Sequence, residues 1–167
     1  MKSKMSAIVS MLLVGGWAMT SAQAPSLQGV WRVSEIVVTG ANASTNTSPQ
    51  PGLYVFTKQH YSIVTVNGTA ARKDVSPAKD PAKLTDAEKV ARYDIWNPFT
   101  ANSGTYEVKG NTLTTKPLVA KNPGVMTAQG TGQTREFTID GKTLTLVQKS
   151  AAGQPVSETR IKLTRVE

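Results

Sequence analysis

Thr134-Arg135-Glu136-Phe137-Thr138-Ile139-Asp140-Gly141-Lys142-Thr143-Leu144-Thr145-Leu146 holds the fold of this chain in miniature. Two alternating arms flank Asp140-Gly141. On the first arm Arg135, Phe137 and Ile139 share a face; on the second, Leu144 and Leu146 do. Strand side chains alternate with period two, so each arm has one face for a core and one for water. An Asp-Gly pair between such arms signals a hairpin, because glycine reaches positive φ without steric cost.

The same pattern extends in both directions. Strands are expected at Gln28–Thr39, Leu53–Thr57, Tyr61–Val66, Phe99–Val108, Thr112–Val119, Thr127–Ile139, Thr143–Gln148 and Val156–Val166. In the first of these, Trp31, Val33 and Val37 are expected on one face and Arg32, Ser34 and Ile36 on the other. The links are turn-like: Asn67-Gly68, Lys109-Gly110-Asn111, Lys121-Asn122-Pro123-Gly124 and Ala151-Ala152-Gly153. Gly40 to Pro51 reads as a loop. Short links make successive strands antiparallel neighbours. The fold class is therefore all-β: about eight antiparallel strands, up and down, closed into a barrel that leaves no open edge. At eight strands the interior is either filled by side chains or just wide enough for one small ligand.

Residues 69–96 interrupt the pattern. Pro77 and Pro81 keep the first half irregular, and Thr85-Asp86-Ala87-Glu88 matches a helix capping box. One short helix, to about Tyr93, is expected in this inserted segment, acting as a lid or plug on one end of the barrel.

The beginning of the chain reads as a secretory signal over residues 1–24. Lys2 and Lys4 precede an apolar run from Ala7, and Ala22-Gln23-Ala24 is a small-x-small cleavage pattern. The run falls short of the ~20 residues that span a bilayer, so no integral membrane span is expected after cleavage. The second region, 25–167, suits one domain with a core large enough to need no staples. The sequence has no cysteine, which rules out disulfides and an acylated-cysteine anchor. A periplasmic or secreted location is expected. The formal charge is +8, of which Lys2 and Lys4 contribute two. The remaining basic residues are scattered, with Arg72-Lys73 the one adjacent pair after the signal, so no nucleic-acid partner is expected.

Taken in order, Leu27-Gln-Gly-Val-Trp31, Pro51-Gly-Leu-Tyr54, Ser103-Gly-Thr-Tyr-Glu-Val108, Arg135-Glu-Phe137, Asp140-Gly-Lys-Thr-Leu144 and Leu163-Thr-Arg165 resemble the bacterial and fungal lipocalin-like domain family, a calycin-type barrel. Gly29-Val30-Trp31 is similar to the lipocalin Gly-x-Trp signature. The resemblance implies a barrel whose closed end is crossed by Trp31, with Arg165 stacked on the indole and reaching backbone carbonyls. It also implies a small hydrophobic or amphipathic ligand inside the barrel. The middle lipocalin motif is not visible, and residues 69–96 are an insertion relative to that pattern.

Barrel ligand sites are mostly apolar, with a few orienting polar groups. The candidate ligand-binding residues are Tyr54, Phe56, Tyr61, Trp96, Tyr106, Arg135 and Phe137, with Ile63 and Phe99 beside them; the bland alternative is that these rings fill the core. Arg135 either holds a carboxylate or phosphate, or pairs with a barrel carboxylate, Glu35 or Glu107. His60, the single histidine, falls in a turn. No Gly-x-Ser-x-Gly elbow accompanies it, and Asp74, Asp80, Asp86 and Asp94 lack calcium-loop spacing. No catalytic residue, metal or cofactor is expected. Two other readings stay open: an interaction or inhibitor module with a filled barrel, acting through the Gly40–Pro51 loop, and a barrel enzyme of cyclase, isomerase or hydrolase type.

Overall fold

Period-two alternation becomes nine strands and two helices in the computed structural model, which describes residues 26–127, 133–151 and 153–167. The expected export signal lies outside the described residues. In chain order the elements are β1 (Gly29–Thr39), β2 (Ser44–Asn46), β3 (Gly52–Phe56), β4 (His60–Val66), α1 (Asp86–Trp96), β5 (Phe99–Lys109), β6 (Thr112–Ala120), α2 (Gly124–Thr127), β7 (Gln133–Asp140), β8 (Thr143–Lys149) and β9 (Glu158–Arg165).

The strands pair antiparallel in the order β2-β1-β3-β4-β5-β6-β7-β8-β9, and β1 also pairs with β9. Eight of them thus close into an antiparallel barrel. β2 lies inside the expected Gly40–Pro51 loop and pairs with β1 from Ile36 to Val38. At the other expected boundaries, β7 begins at Gln133 and Thr127 ends α2. One end of the barrel is shut by tight turns, with Gly110 at φ 61° and Gly141 at φ 54°. The other end carries every long connection, including α1 and α2.

The core runs along the inner faces of these strands. Trp31, Leu144 and Leu163 are 0% exposed, and Leu113 and Leu146 are 1%. Val33, Tyr54, Phe56, Tyr61 and Ile63 complete its buried wall with Leu27. The Trp31 indole N–H donates to the Leu27 carbonyl at 2.8 Å. Arg165 covers the ring with its guanidinium carbon 4.1 Å from the centroid. Its Nη1 donates to the Gln28 carbonyl at 2.7 Å and its Nη2 to that of Ser26. This latch explains the glycine two residues before the tryptophan. Gly29 sits at φ +134°, and a Cβ there would come 2.5 Å from both Arg165 Nη1 and the Glu167 carbonyl oxygen.

One face assignment changes. Trp31 and Val33 point inward as expected, but a β-bulge between Val33 and Glu35 leaves Ser34 without an opposite residue on β9. One extra residue inverts the alternation beyond it. Ile36 therefore packs on the core in place of Val37, opposite Ile161. Glu35 turns outward and pairs with Lys162 at 2.9 Å.

Helix α1 begins as expected. Thr85 accepts from the Glu88 backbone N–H, and the Glu88 carboxylate accepts from that of Thr85. None of its residues is buried, however, and Val90, Tyr93 and Trp96 are 58%, 63% and 58% exposed. It is not a plug. It is tied at its C-terminal end, where Lys121 Nζ donates to the carbonyls of Trp96, Asn97 and Phe99. A cation suits that position, since the helix end is partially negative.

Candidate functional site in the barrel interior

Alternation aims Gln133, Arg135, Phe137 and Ile139 of β7 into the barrel. Phe137 and Ile139 meet the buried core, opposite Leu146 and Leu144 of β8. Arg135, nearer the open end, enters a polar storey above this floor. Its neighbour on β6 is Leu113, and Thr115 stands opposite Gln133. Across the barrel are Tyr54 of β3 and Tyr61 of β4, both close enough for the guanidinium to act on their hydroxyls electrostatically.

The contacts here are specific. Tyr61 donates to Asn102 Oδ1 at 2.8 Å. Thr115, 1% exposed, donates to the Gln133 carbonyl at 3.3 Å. Arg135 Nη2 donates to Gln133 Oε1 at 3.1 Å, while its buried Nε–H has no partner among the described residues. Tyr54 is 5% exposed, and its hydroxyl makes no hydrogen bond among the described residues. Burial pushes the Tyr54 pKa up, against the opposing pull of the Arg135 charge. Burial likewise raises that of Tyr61, partly offset by the nearby Thr115 hydroxyl and by the Arg135 charge. Both hydroxyls are therefore neutral at physiological pH.

Neither carboxylate expected as a partner reaches Arg135. Glu35 is drawn outward by the bulge, and Glu107 pairs with Lys116 at 2.6 Å on the outer surface. Tyr106 and Val108 flank Glu107 on β5. Tyr106 packs on the core there, whereas Val108 is 46% exposed at the closed rim. Among the described residues no carboxylate or histidine is buried, and no group of acidic and histidine side chains could hold a metal ion. His60 is exposed where β4 begins.

The seven candidate residues divide into three sets. Tyr54, Tyr61 and Arg135 come together in the polar storey. Phe56, Tyr106 and Phe137 belong to the wall below, with Phe56 and Tyr106 edge-to-face at 5.3 Å. Tyr106 donates to the Thr57 carbonyl at 2.6 Å, and burial raises its pKa. Trp96 stands apart on α1, its ring 5.3 Å from that of Phe99. Three polar members had escaped the sequence reading: Asn102, Thr115 and Gln133. Each lies an even number of residues from an inward neighbour on its own strand, namely Tyr106, Leu113 and Arg135, so alternation held the signal.

A cleft of about 420 Å³ opens between the end of α1, the start of β5, the end of β6 and α2. It reaches Asn102, the acceptor of the Tyr61 hydroxyl, and its size falls within the range of small-ligand sites. A larger cleft, about 600 Å³, lies between residues 75–85 and α1. That one mixes Val75, Ala87 and Ala91 with Lys79, Asp80 and Lys83, and none of its lining residues belongs to a barrel strand.

A family model described as a lipocalin-like domain matches residues 28–164. No curated protein matches. A crystal structure of an uncharacterized protein from Bacteroides eggerthii is similar at 11% identity, over 84% of this chain and 99% of that one, with a TM-score of 0.43.

Proposed function

Because this chain belongs to the lipocalin-like domain family, we propose that it is an exported protein that binds a small amphipathic molecule in the open-end half of its barrel. The observation that carries this reading is the layering of the interior. A filled apolar floor of Trp31, Leu144, Leu146 and Leu163 lies beneath a storey where the buried Nε–H of Arg135 has no hydrogen-bond partner among the described residues. Leaving a buried polar group unmatched costs about 1–3 kcal/mol, so a ligand that satisfies such groups recovers that energy. The partly buried Ile36 and Ile161 supply apolar surface beside this storey. Residues 1–24 direct export, and cleavage after Ala24 leaves the barrel domain 25–167 in the periplasm or medium.

Native mass spectrometry of the protein recovered from its own host tests both parts. The expected result is a polypeptide starting at Pro25 that carries a small molecule lost on denaturation. An empty protein that also ignores fatty acids and aromatic probes would refute binding, and an intact first residue would refute cleavage.

A second reading, an interaction module with a filled barrel, draws support from that closely packed floor and from Leu118 and Val119, 69% and 61% exposed on the outer surface. It predicts a side-chain-filled barrel that carries no ligand, with partner capture abolished by deleting residues 40–51.

A further inference from the structure

The cleft of about 420 Å³ between α1, β5, β6 and α2 has a donor set of its own. Three asparagines line it, Asn97, Asn102 and Asn122, beside the rings of Tyr93 and Phe99. The protein takes the carbonyl end of each amide. Asn97 Oδ1 accepts from the Tyr93 hydroxyl at 3.3 Å, Asn102 Oδ1 from that of Tyr61 at 2.8 Å, and Asn122 Oδ1 from the Gly124 N–H at 3.0 Å. Those bonds fix which way each amide is turned. The three Nδ2 groups, two N–H donors apiece, meet no protein acceptor among the described residues. The one charged side chain in the lining is Lys121, and its ammonium is spent: it donates to the carbonyls of Trp96, Asn97 and Phe99. The two rings also differ. Arg72 lies over the Phe99 ring and Trp96 packs edge-on to it, whereas Tyr93 is 63% exposed and offers an open face.

This lining selects against charge and against a purely apolar ligand. An anion would lose hydration here and find no free cation. A cation would face amide donors and the Lys121 charge. An apolar molecule would cover the amides and leave them unmatched. A sugar meets every requirement. Its hydroxyl oxygens accept from the Nδ2 groups while their own protons turn to water. The C–H face of its ring, slightly positive, lies on the negative face of an aromatic ring. We propose that this cleft binds a short neutral oligosaccharide, with Tyr93 as the platform and Asn97, Asn102 and Asn122 as donors. The site lies at the rim of the open end and does not depend on a ligand inside the barrel.

Calorimetric titration of the protein recovered from its own host tests this with cellotriose, maltotriose and triacetylchitotriose, and with trigalacturonate as an anionic counterpart. At least one neutral trisaccharide should bind, about tenfold or more tighter than trigalacturonate. Tyr93→Ala should weaken that sugar about tenfold or more, while Tyr93→Phe keeps the ring and should stay within about threefold of the native protein. Asn97→Asp and Asn122→Asp keep the oxygen that serves Tyr93 or Gly124 and lose the donor, so each should weaken binding about fivefold. No residue of α1 is buried, so the Tyr93 variants should show the native urea melt, which reports that they are folded. No binding by any neutral trisaccharide, tighter binding of trigalacturonate, or a Tyr93→Ala variant with native affinity would overturn the inference. None of these outcomes bears on ligand capture inside the barrel, which the mass spectrometry above reads separately.

Discussion

Arg165→Ala tests how the closed end is held. The native guanidinium lies 4.1 Å over the Trp31 ring and donates to the Gln28 and Ser26 carbonyls. A cation over an indole contributes roughly 0.5–2 kcal/mol. Hydrogen bonds from a charged donor contribute about 1.5–3 kcal/mol each when the freed partner stays dry. Here water can reach the freed carbonyls, because these bonds lie at an exposed rim, so the lower part of that range applies to the pair together. The expected loss is about 2–3 kcal/mol. For a domain of this size it lowers Tm by roughly 6–12 °C. Urea unfolding followed by tryptophan fluorescence measures it, and the native emission should move to the red as water reaches Trp31, which is 0% exposed in the intact protein. Arg165→Lys keeps the charge but not the planar fork and should recover less than half of the loss. A variant within 0.5 kcal/mol of the native protein, or a fully restoring lysine, would refute the latch.

Gly29→Ala places a methyl group against Arg165 and the Glu167 carbonyl at a positive φ; stability should fall by about 2 kcal/mol or more, measured by the same urea titration. Lys121→Met removes the cation that gathers three carbonyls where α1 ends; amide hydrogen exchange should accelerate about tenfold across residues 86–97, with the barrel strands and the global melt unchanged. Tyr54→Phe tests the alkaline limb. The Tyr54 pKa is raised in the folded state, so its contribution is fully present below the unfolded value of about 10 and is lost as pH rises above it. Between pH 9 and pH 11.5 the native protein should therefore lose more stability in urea melts than the phenylalanine variant, and equal losses would contradict the assignment.

Strand positions were legible because the hydrophobic period and the turn glycines are local properties. Gly110 and Gly141 adopt positive φ in the turns that the sequence marks. Local bonding also explains the capping box: Thr85 and Glu88 are three residues apart and need nothing else to pair. β2 was not legible, because a three-residue strand exists only by leaning on Ile36 to Val38 of β1. The place of α1 was not legible either. Its modest apolar residues suit a packed face, yet what fixes it is a lysine from the end of β6.

The site divides along the same line. Alternation with Phe137 and Ile139 was enough to turn Arg135 inward. Its lack of a counter-charge was decided elsewhere, by a bulge of one residue at Ser34 and by lysines on adjacent strands that engage Glu35 and Glu107 on the outer surface. The sequence by itself determined the antiparallel barrel of about eight strands and the inward faces of β7 and β8. The tertiary structure alone decided which charges meet, because a bulge inverts every face beyond it and ion pairing depends on register between strands far apart in the chain.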